Sequence, residues 1–116
     1  LPIFMMGFGT SSVISPNKTG TLFAIVSGNV KNEQVNEGSK IQLRYGTGTA
    51  PNNGSTYSGT VVGGLIQSNV NYQIPFSING IISNLIIGQP YWFDISLSTT
   101  LGTSSVNNVS ISIIEV

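Results

Sequence analysis

Polar and apolar residues alternate along several short stretches of this chain, and the clearest stretch follows the turn Gly88-Gln89-Pro90. Alternation with a period of two is typical of a strand with one buried and one solvated face. The predicted apolar face carries Tyr91, Phe93, Ile95 and Leu97, and the predicted polar face carries Trp92, Asp94, Ser96 and Ser98. This stretch is therefore expected to be a half-buried strand at the centre of the fold.

Similar reasoning predicts further strands between turns rich in Gly, Pro and Asn. They cover Thr10–Ser15, Thr21–Ser27, Lys40–Tyr45, part of Thr60–Ile66 with a kink at Gly63-Gly64, Asn71–Ile78 and Val106–Val116. Asn79-Gly80 predicts a hairpin turn, with Ile81–Ile86 as its return strand or as a loop packed on the core. The charged stretch Asn29–Ser39 is expected to be a solvated loop.

About eight strands without any helical periodicity predict an all-β fold. The specific prediction is a single antiparallel β-sandwich of about eight strands, jelly-roll-like rather than of the seven-strand immunoglobulin type. At 116 residues the chain is large enough for one core and too small for two. We divide it into an apolar N-terminal arm, 1–9, and a sandwich domain, 10–116.

Two segments predict contacts beyond a simple core. Thr21–Ser27 is apolar on both faces, so its second face needs a loop, the arm or another subunit over it. The apolar arm either lies on its own core or docks on a neighbouring subunit. The candidate residues for an oligomer interface are Ile3, Phe4, Met5, Met6, Phe8, Leu22, Ala24 and Val26.

Composition narrows the classes of function. Charged residues make up only 7% of the chain, four basic and four acidic, which gives a formal net charge of zero. We therefore expect neither nucleic acid nor a membrane as partner, because both usually require a basic surface or a long apolar span. Zero net charge also removes a barrier to self-association.

Catalytic chemistry has few candidate residues. The chain has no His and no Cys, which removes the commonest general base and the thiolate ligands of metal sites. Glu33, Glu37, Asp94 and Glu115 are scattered along the chain, so no pair of carboxylates is predicted to converge. We expect no enzymatic activity, no cofactor and no metal site.

Carbohydrate binding stays open as an alternative, because aromatic rings beside amide groups can hold a sugar. Trp92 lies next to two other aromatics at the start of a strand, a pattern that is also typical of a core or an interface. The candidate residues for a ligand surface are Trp92, Asp94, Tyr57, Asn52 and Asn53.

Three stretches carry a resemblance to a known class of proteins. They are Ile41–Pro51, Asn84–Asp94 and Asn108–Val116. The pattern resembles small structural domains of tailed bacteriophage virions, either capsid decoration proteins or the globular heads of tail and head fibres. The resemblance implies a jelly-roll or tumour-necrosis-factor-like sandwich that assembles as a trimer and has no catalytic residues.

These observations lead to one functional expectation and one alternative. The expectation is a non-enzymatic structural subunit on the surface of a virion, with itself, as a homotrimer, and other virion proteins as partners. The alternative is a carbohydrate-binding or adhesion module of a larger protein, with a glycan on a host surface as partner.

Overall fold

The computed structural model describes residues 3–33, 38–63, 66–68, 72–99 and 102–116. These residues form nine strands and one short 3₁₀ turn, Phe8–Thr10. The strands are β1 (Ile3–Met5), β2 (Val13–Ile14), β3 (Leu22–Asn32), β4 (Ser39–Gly46), β5 (Thr60–Val61), β6 (Ile66–Ser68), β7 (Ile74–Ile82), β8 (Tyr91–Thr99) and β9 (Ser104–Glu115). Every pairing between them is antiparallel, which confirms the predicted all-β antiparallel fold.

Six strands form the first sheet, in the order β1-β8-β4-β5, with β2 also paired to β8 and β6 to β4. Strand β8 is central in this sheet, because β4 pairs along one of its edges and the N-terminal strands along the other. The stretch with the clearest alternation in the sequence is thus the strand around which the larger sheet is built.

The second sheet contains three strands, in the order β7-β3-β9. The first long strand, β3, pairs with the last, β9, and the second long strand, β4, pairs with β8. The pair β4-β8 is therefore nested in sequence between the two members of the pair β3-β9. The register of β3 and β9 shifts between Ser27 and Asn29. The extra residue lies on β9, where Asn108 has a positive φ of 55°, a conformation that Asn tolerates at a bulge.

The core lies between the two sheets and takes one face of each long strand. Its buried members are Leu22, Ala24, Val26, Val30, Ile41, Leu43, Phe76, Ile78, Ile82, Tyr91, Phe93, Ile95 and Leu97. The predicted inner faces of β4 and β8 are therefore confirmed. Val109, Ile111 and Ile113 of β9 pack against this cluster from its edge, on the face that their alternation predicts.

The predicted hairpin at Asn79-Gly80 is wrong. Strand β7 runs through both residues, with Asn79 opposite Ile25 and Gly80 opposite Ala24 of β3. A Cβ atom on Gly80 would lie 2.6 Å from a methyl carbon of Val62, which directly follows β5. The glycine is therefore needed for close packing between β7 and this residue. The chain turns later, between Ile82 and Tyr91.

Several strand boundaries also differ from the predictions. Strand β3 continues to Asn32 and β4 begins at Ser39, so the predicted loop Asn29–Ser39 is shorter at both ends. Tyr72 lies outside β7 and is exposed, so it does not share the buried face of that strand. Pro75 lies on the edge strand of the smaller sheet, as expected for a residue that cannot donate to a ladder.

Some predictions fall on parts of the chain outside the described residues. These are the first two residues of the arm, Glu37, the Gly64-Leu65 pair, and Asn71 at the start of a predicted strand.

Candidate functional site

The second face of β8 is covered by the chain itself. All residues from Tyr91 to Leu97 are buried, including Trp92, Asp94 and Ser96. The prediction that this face is solvated is therefore wrong. Two backbone segments, 7–9 and 57–59, lie over it, and we call them the cover.

Asp94 holds the first segment of the cover in place. Its Oδ2 accepts a hydrogen bond from the Gly7 backbone N–H at 3.0 Å, and its Oδ1 accepts one from Phe8 N–H at 3.1 Å. Oδ1 also accepts from Ile95 N–H at 2.7 Å. Gly7 adopts the left-handed conformation, with φ of 83°, which turns successive N–H groups toward one anion.

Burial has a direct effect on the ionisation of Asp94. Desolvation raises the pKa of its carboxyl, and hydrogen bonds from the backbone N–H groups of Ile95, Gly7 and Phe8 oppose that increase. A carboxylate that is buried and already bonded to three donors has no accessible oxygen for a substrate or a ligand. Asp94 is therefore a structural anchor, not part of an exposed ligand surface.

Trp92 is also enclosed, with only 4% of its surface exposed. Its Nε1 donates a hydrogen bond to the Thr47 carbonyl at 3.2 Å. A Cβ atom on Gly46 or Gly59 would lie 2.5 or 2.6 Å from the six-membered ring. Two glycines therefore let the backbone approach the ring closely, and its faces are not free to stack on a sugar.

Arg44 completes this covered region on strand β4. Its Nε donates to Ser96 Oγ at 2.9 Å and its Nη2 to Gln42 Oε1 at 3.0 Å. The guanidinium lies 4.9 Å from the centre of the Tyr57 ring, a cation–π geometry. Tyr57, an exposed member of the predicted ligand surface, therefore packs its ring against the buried guanidinium of Arg44.

A shallow groove of about 340 Å³ runs beside the cover. Its lining residues come from three parts of the chain: Gly9, Thr10 and Val13; Gly48, Thr49, Ala50 and Asn52; and Pro90 and Trp92. Trp92 and Asn52 of the predicted ligand surface both line this groove. Asp94 lies beneath the cover, and Asn53 contacts Gly7 next to it.

The predicted interface residues of β3 have no exposed surface. Leu22, Ala24 and Val26 are fully buried in the core of their own chain. The residues that point outward from β3 are their neighbours Phe23 and Ile25, which are half-buried. The prediction that Leu22, Ala24 and Val26 form an interface is therefore wrong, because they lie on the inner face of β3.

The described part of the N-terminal arm pairs with its own chain. Ile3, Phe4 and Met5 form β1 on the edge of β8, and loop residues Ser55 and Tyr57 bond to its other edge. Met5 is fully buried, Phe4 is about half exposed, and Met6 and Phe8 pack against the core.

In the smaller sheet, in contrast, several side chains on the outward side are exposed. We call the part of this side nearest the start of β3 the outer face, and it consists of nine residues in three rows across the strands. The rows are Ile81-Phe23-Ile114, Asn79-Ile25-Ser112 and Ser77-Ser27-Ser110. Ile81 is 66% exposed and Ile114 is 60% exposed. None of the nine side chains carries a charge. Beyond these rows, Lys31 lies on the same side of β3, where it forms an ion pair with Glu33.

Ile81 and Ile114 were not among the predicted site residues, although the sequence contains a signal for them. Each belongs to a pair of consecutive isoleucines, Ile81-Ile82 and Ile113-Ile114, within a strand. Because successive strand residues point to opposite faces, one isoleucine of each pair must point away from the core.

The second carboxylate with an unusual environment is Glu115. It accepts hydrogen bonds from the backbone N–H groups of four consecutive residues, 17–20, at 2.9 to 3.0 Å. Those bonds, with the bond from Asn17 contributing most, lower the pKa of Glu115 to about 2. This carboxylate ties the end of β9 to the segment before β3.

The described residues contain no group of three or more His, Cys, Asp or Glu side chains that could hold a metal ion. Nor does any helix in the described ranges have the length and apolar character of a membrane span. A polar cluster of Asn32, Ser39 and Ser104 links the two sheets. The Asn32 amide donates to the Gly38 carbonyl and to the Ser104 hydroxyl, which is also hydrogen-bonded to the Ser39 hydroxyl.

Comparison with protein-family models, with curated proteins and with solved structures found no match. Evidence for a function therefore comes from the exposed and buried residues described above and from the resemblance of three sequence stretches to bacteriophage virion domains.

Proposed function

We propose that this chain is a non-enzymatic structural subunit on the surface of a virus particle, a capsid decoration protein or a fibre head. In this role it assembles as a symmetric oligomer, with a trimer as the expected form. The resemblance of Ile41–Pro51, Asn84–Asp94 and Asn108–Val116 to phage virion domains supports the viral assignment.

The observation that carries the assembly part of the proposal is the outer face of the smaller sheet. Exposed isoleucines on an uncharged sheet face are unusual on a protein that stays monomeric, and they are typical of a surface that another protein covers. The zero net charge of the chain supports self-association for the same reason.

Two measurements test this proposal together. Light scattering of the purified chain should give a mass that is a multiple of 12.2 kDa, three times that mass for a trimer. Antibodies raised against the chain should label intact particles of the virus that encodes it. A chain that stays monomeric at all concentrations and is absent from particles would contradict the proposal.

The groove favours one second candidate, a carbohydrate-binding module. Its lining is uncharged and combines Thr10, Thr49 and Asn52 with the exposed apolar side chain of Val13 and the small exposed part of Trp92. Neutral hydroxyl and amide groups beside apolar surface suit an uncharged sugar.

Titration of the chain with neutral oligosaccharides, followed by Trp92 fluorescence, tests this candidate. Saturable binding in the native chain that is lost in Asn52→Ala, but kept in Asn17→Ala, would support it. An unchanged spectrum at millimolar sugar would exclude it.

A further inference from the structure

The apolar part of the outer face lies at one end of the smaller sheet. The row Ile81-Phe23-Ile114 crosses all three strands, and each of its members is apolar. The next two rows contain one apolar residue, Ile25, among Asn and Ser side chains. The outer face therefore combines an apolar end with a neutral polar remainder.

Three more exposed apolar residues lie at the same end of the sandwich. Ile86 and Ile87, in the turn after β7, and Val116, after β9, are all more than half exposed. The backbone positions them there, because Leu85 N–H donates to the Gly20 carbonyl and Val116 N–H donates to the Thr21 carbonyl. These bonds place Leu85, next to Ile86, and Val116 beside the two residues that precede β3.

The turn that presents Ile86 and Ile87 is itself well anchored. Gly88 N–H donates to the Pro16 carbonyl at 2.8 Å, and Ile86 N–H donates to the Tyr91 hydroxyl at 2.9 Å. Two residues of this turn, Asn84 and Gly88, have positive φ angles. A turn fixed in this way holds two isoleucines toward solvent instead of burying them, so their exposure is a property of the fold.

We propose that the outer face, extended by Ile86, Ile87 and Val116, is the surface on which a second copy of this chain docks. This inference rests on the proposed function, since it names the interface of the proposed oligomer. In this interface β3 contributes its outward residues Phe23 and Ile25, and not the buried residues Leu22, Ala24 and Val26 that the sequence predicted.

Charge is the reason for choosing a second copy as the occupant. In a symmetric assembly, residues near the symmetry axis meet their own copies, so any charge there meets a charge of the same sign. The nine residues of the outer face are all neutral, and the nearest ionised group of β9, Glu115, is already held by four backbone N–H groups. A neutral face near such an axis therefore meets its own copies without repulsion between like charges.

Edge strand β9 supports the same occupant. It is twelve residues long and forms one edge of the three-stranded sheet. From Ser104 to Ile114 it contains neither proline nor a charged residue, the two devices that commonly prevent an edge from pairing with another chain. A second copy could therefore contact both the face and the edge of this sheet.

The experiment uses single cysteines, because the chain contains none of its own. Ile114→Cys places a thiol on the outer face, and Val13→Cys, at a site that is 54% exposed on the larger sheet, is the matched control. The alkylation rate of each thiol is measured as protein concentration is raised, with the mass followed by light scattering in parallel. We expect the rate at position 114 to fall at least about tenfold on assembly, while the control rate changes little.

A second pair of variants tests the same face by charge. Ile81→Lys should leave the thermal midpoint of the dilute monomer unchanged and prevent assembly, because it brings like charges together between copies. Val13→Lys should assemble like the native chain.

The outcomes separate the two proposals. An oligomer whose position 114 reacts at the monomer rate, or an Ile81→Lys variant that still assembles, would overturn the inference and leave the proposed oligomer in place. A native chain that remains monomeric at every concentration would overturn the proposed assembly, and this interface with it.

Discussion

The two sheets of the sandwich differ in whether their outward faces are buried. The outward face with polar residues is buried, and the outward face with apolar residues is partly exposed, which is the opposite of what the residue types predict. Strand β8 has Asp94 and Ser96 on its second face, yet that face is buried beneath the cover. Strand β3 has Phe23 and Ile25 on its second face, yet no segment of the described chain buries them fully.

Hydrogen bonding explains this reversal. A covering backbone segment brings N–H groups that need acceptors, and Asp94 supplies them for Gly7 and Phe8. A purely apolar face such as that of Phe23 and Ile25 offers no acceptor to a backbone segment. The polar face is thus covered within the chain, and the apolar face is the one on which we propose that a second copy docks.

The largest expected effect concerns the core that both sheets share. Phe93→Ala should lower the free energy of unfolding by about 3 to 5 kcal/mol, because it removes a fully buried ring and leaves a cavity. Denaturant unfolding measures this loss. Phe4→Ala, at a half-exposed site, is the control and should cost much less, and a loss below about 1 kcal/mol for Phe93→Ala would show that the core is misassigned.

The next effect tests the anchor of the cover. Asp94→Asn should lower the free energy of unfolding by about 1 to 3 kcal/mol, because the new NH₂ group cannot accept the bond from a buried backbone N–H. Hydrogen exchange of the Gly7 and Phe8 amides should become faster in the same variant. Unchanged exchange would mean that the cover does not depend on this carboxylate.

The two carboxylates predict opposite responses to acid. The lowered pKa of Glu115 means that its contribution to stability is complete above its ordinary pKa of 4.5 and is lost as the pH falls toward about 2. The pKa of Asp94 is raised, so this carboxyl has the opposite effect on stability. Its contribution to the free energy of unfolding is complete at low pH and is lost as the pH rises through the pKa of Asp94 in the folded state.

Glu115→Gln should therefore make stability less sensitive to acid. Thermal midpoints of the native chain and the variant, measured from pH 6 down to about pH 2, should differ most at pH 6 and converge at the acid end. A difference that stays constant over this range would show that the carboxylate is not held ionised by the four N–H groups.

The smallest effect on folding is expected on the outer face. Ile81→Thr should change the free energy of unfolding of the monomer by less than about 0.5 kcal/mol, because the side chain is exposed and Thr keeps a β-branched shape. Denaturant unfolding at low protein concentration checks this value. A loss of more than about 1 kcal/mol would mean that the outer face already packs within the monomer.

The turn predictions show where local sequence rules fail. Asn79-Gly80 is a strong hairpin signal by itself, but the pairing of β7 with β3 extends through both residues. Close approach of Val62 needs a residue without a side chain at position 80. A glycine required for packing and a glycine required for a turn look the same in a sequence.

The sequence by itself determined the all-β class and the inner faces of the strands that carry Ile41, Leu43, Phe93, Ile95 and Ile111. These features are local, because the alternation of a strand is set by its own backbone geometry. The pairs of consecutive isoleucines indicate that Ile81 and Ile114 point away from the core, but only the tertiary structure decided that both stay exposed while Asp94 and Trp92 are enclosed. The enclosure depends on where residues 7–9 and 57–59 run, a matter of contacts between segments far apart in the chain, which no local pattern encodes.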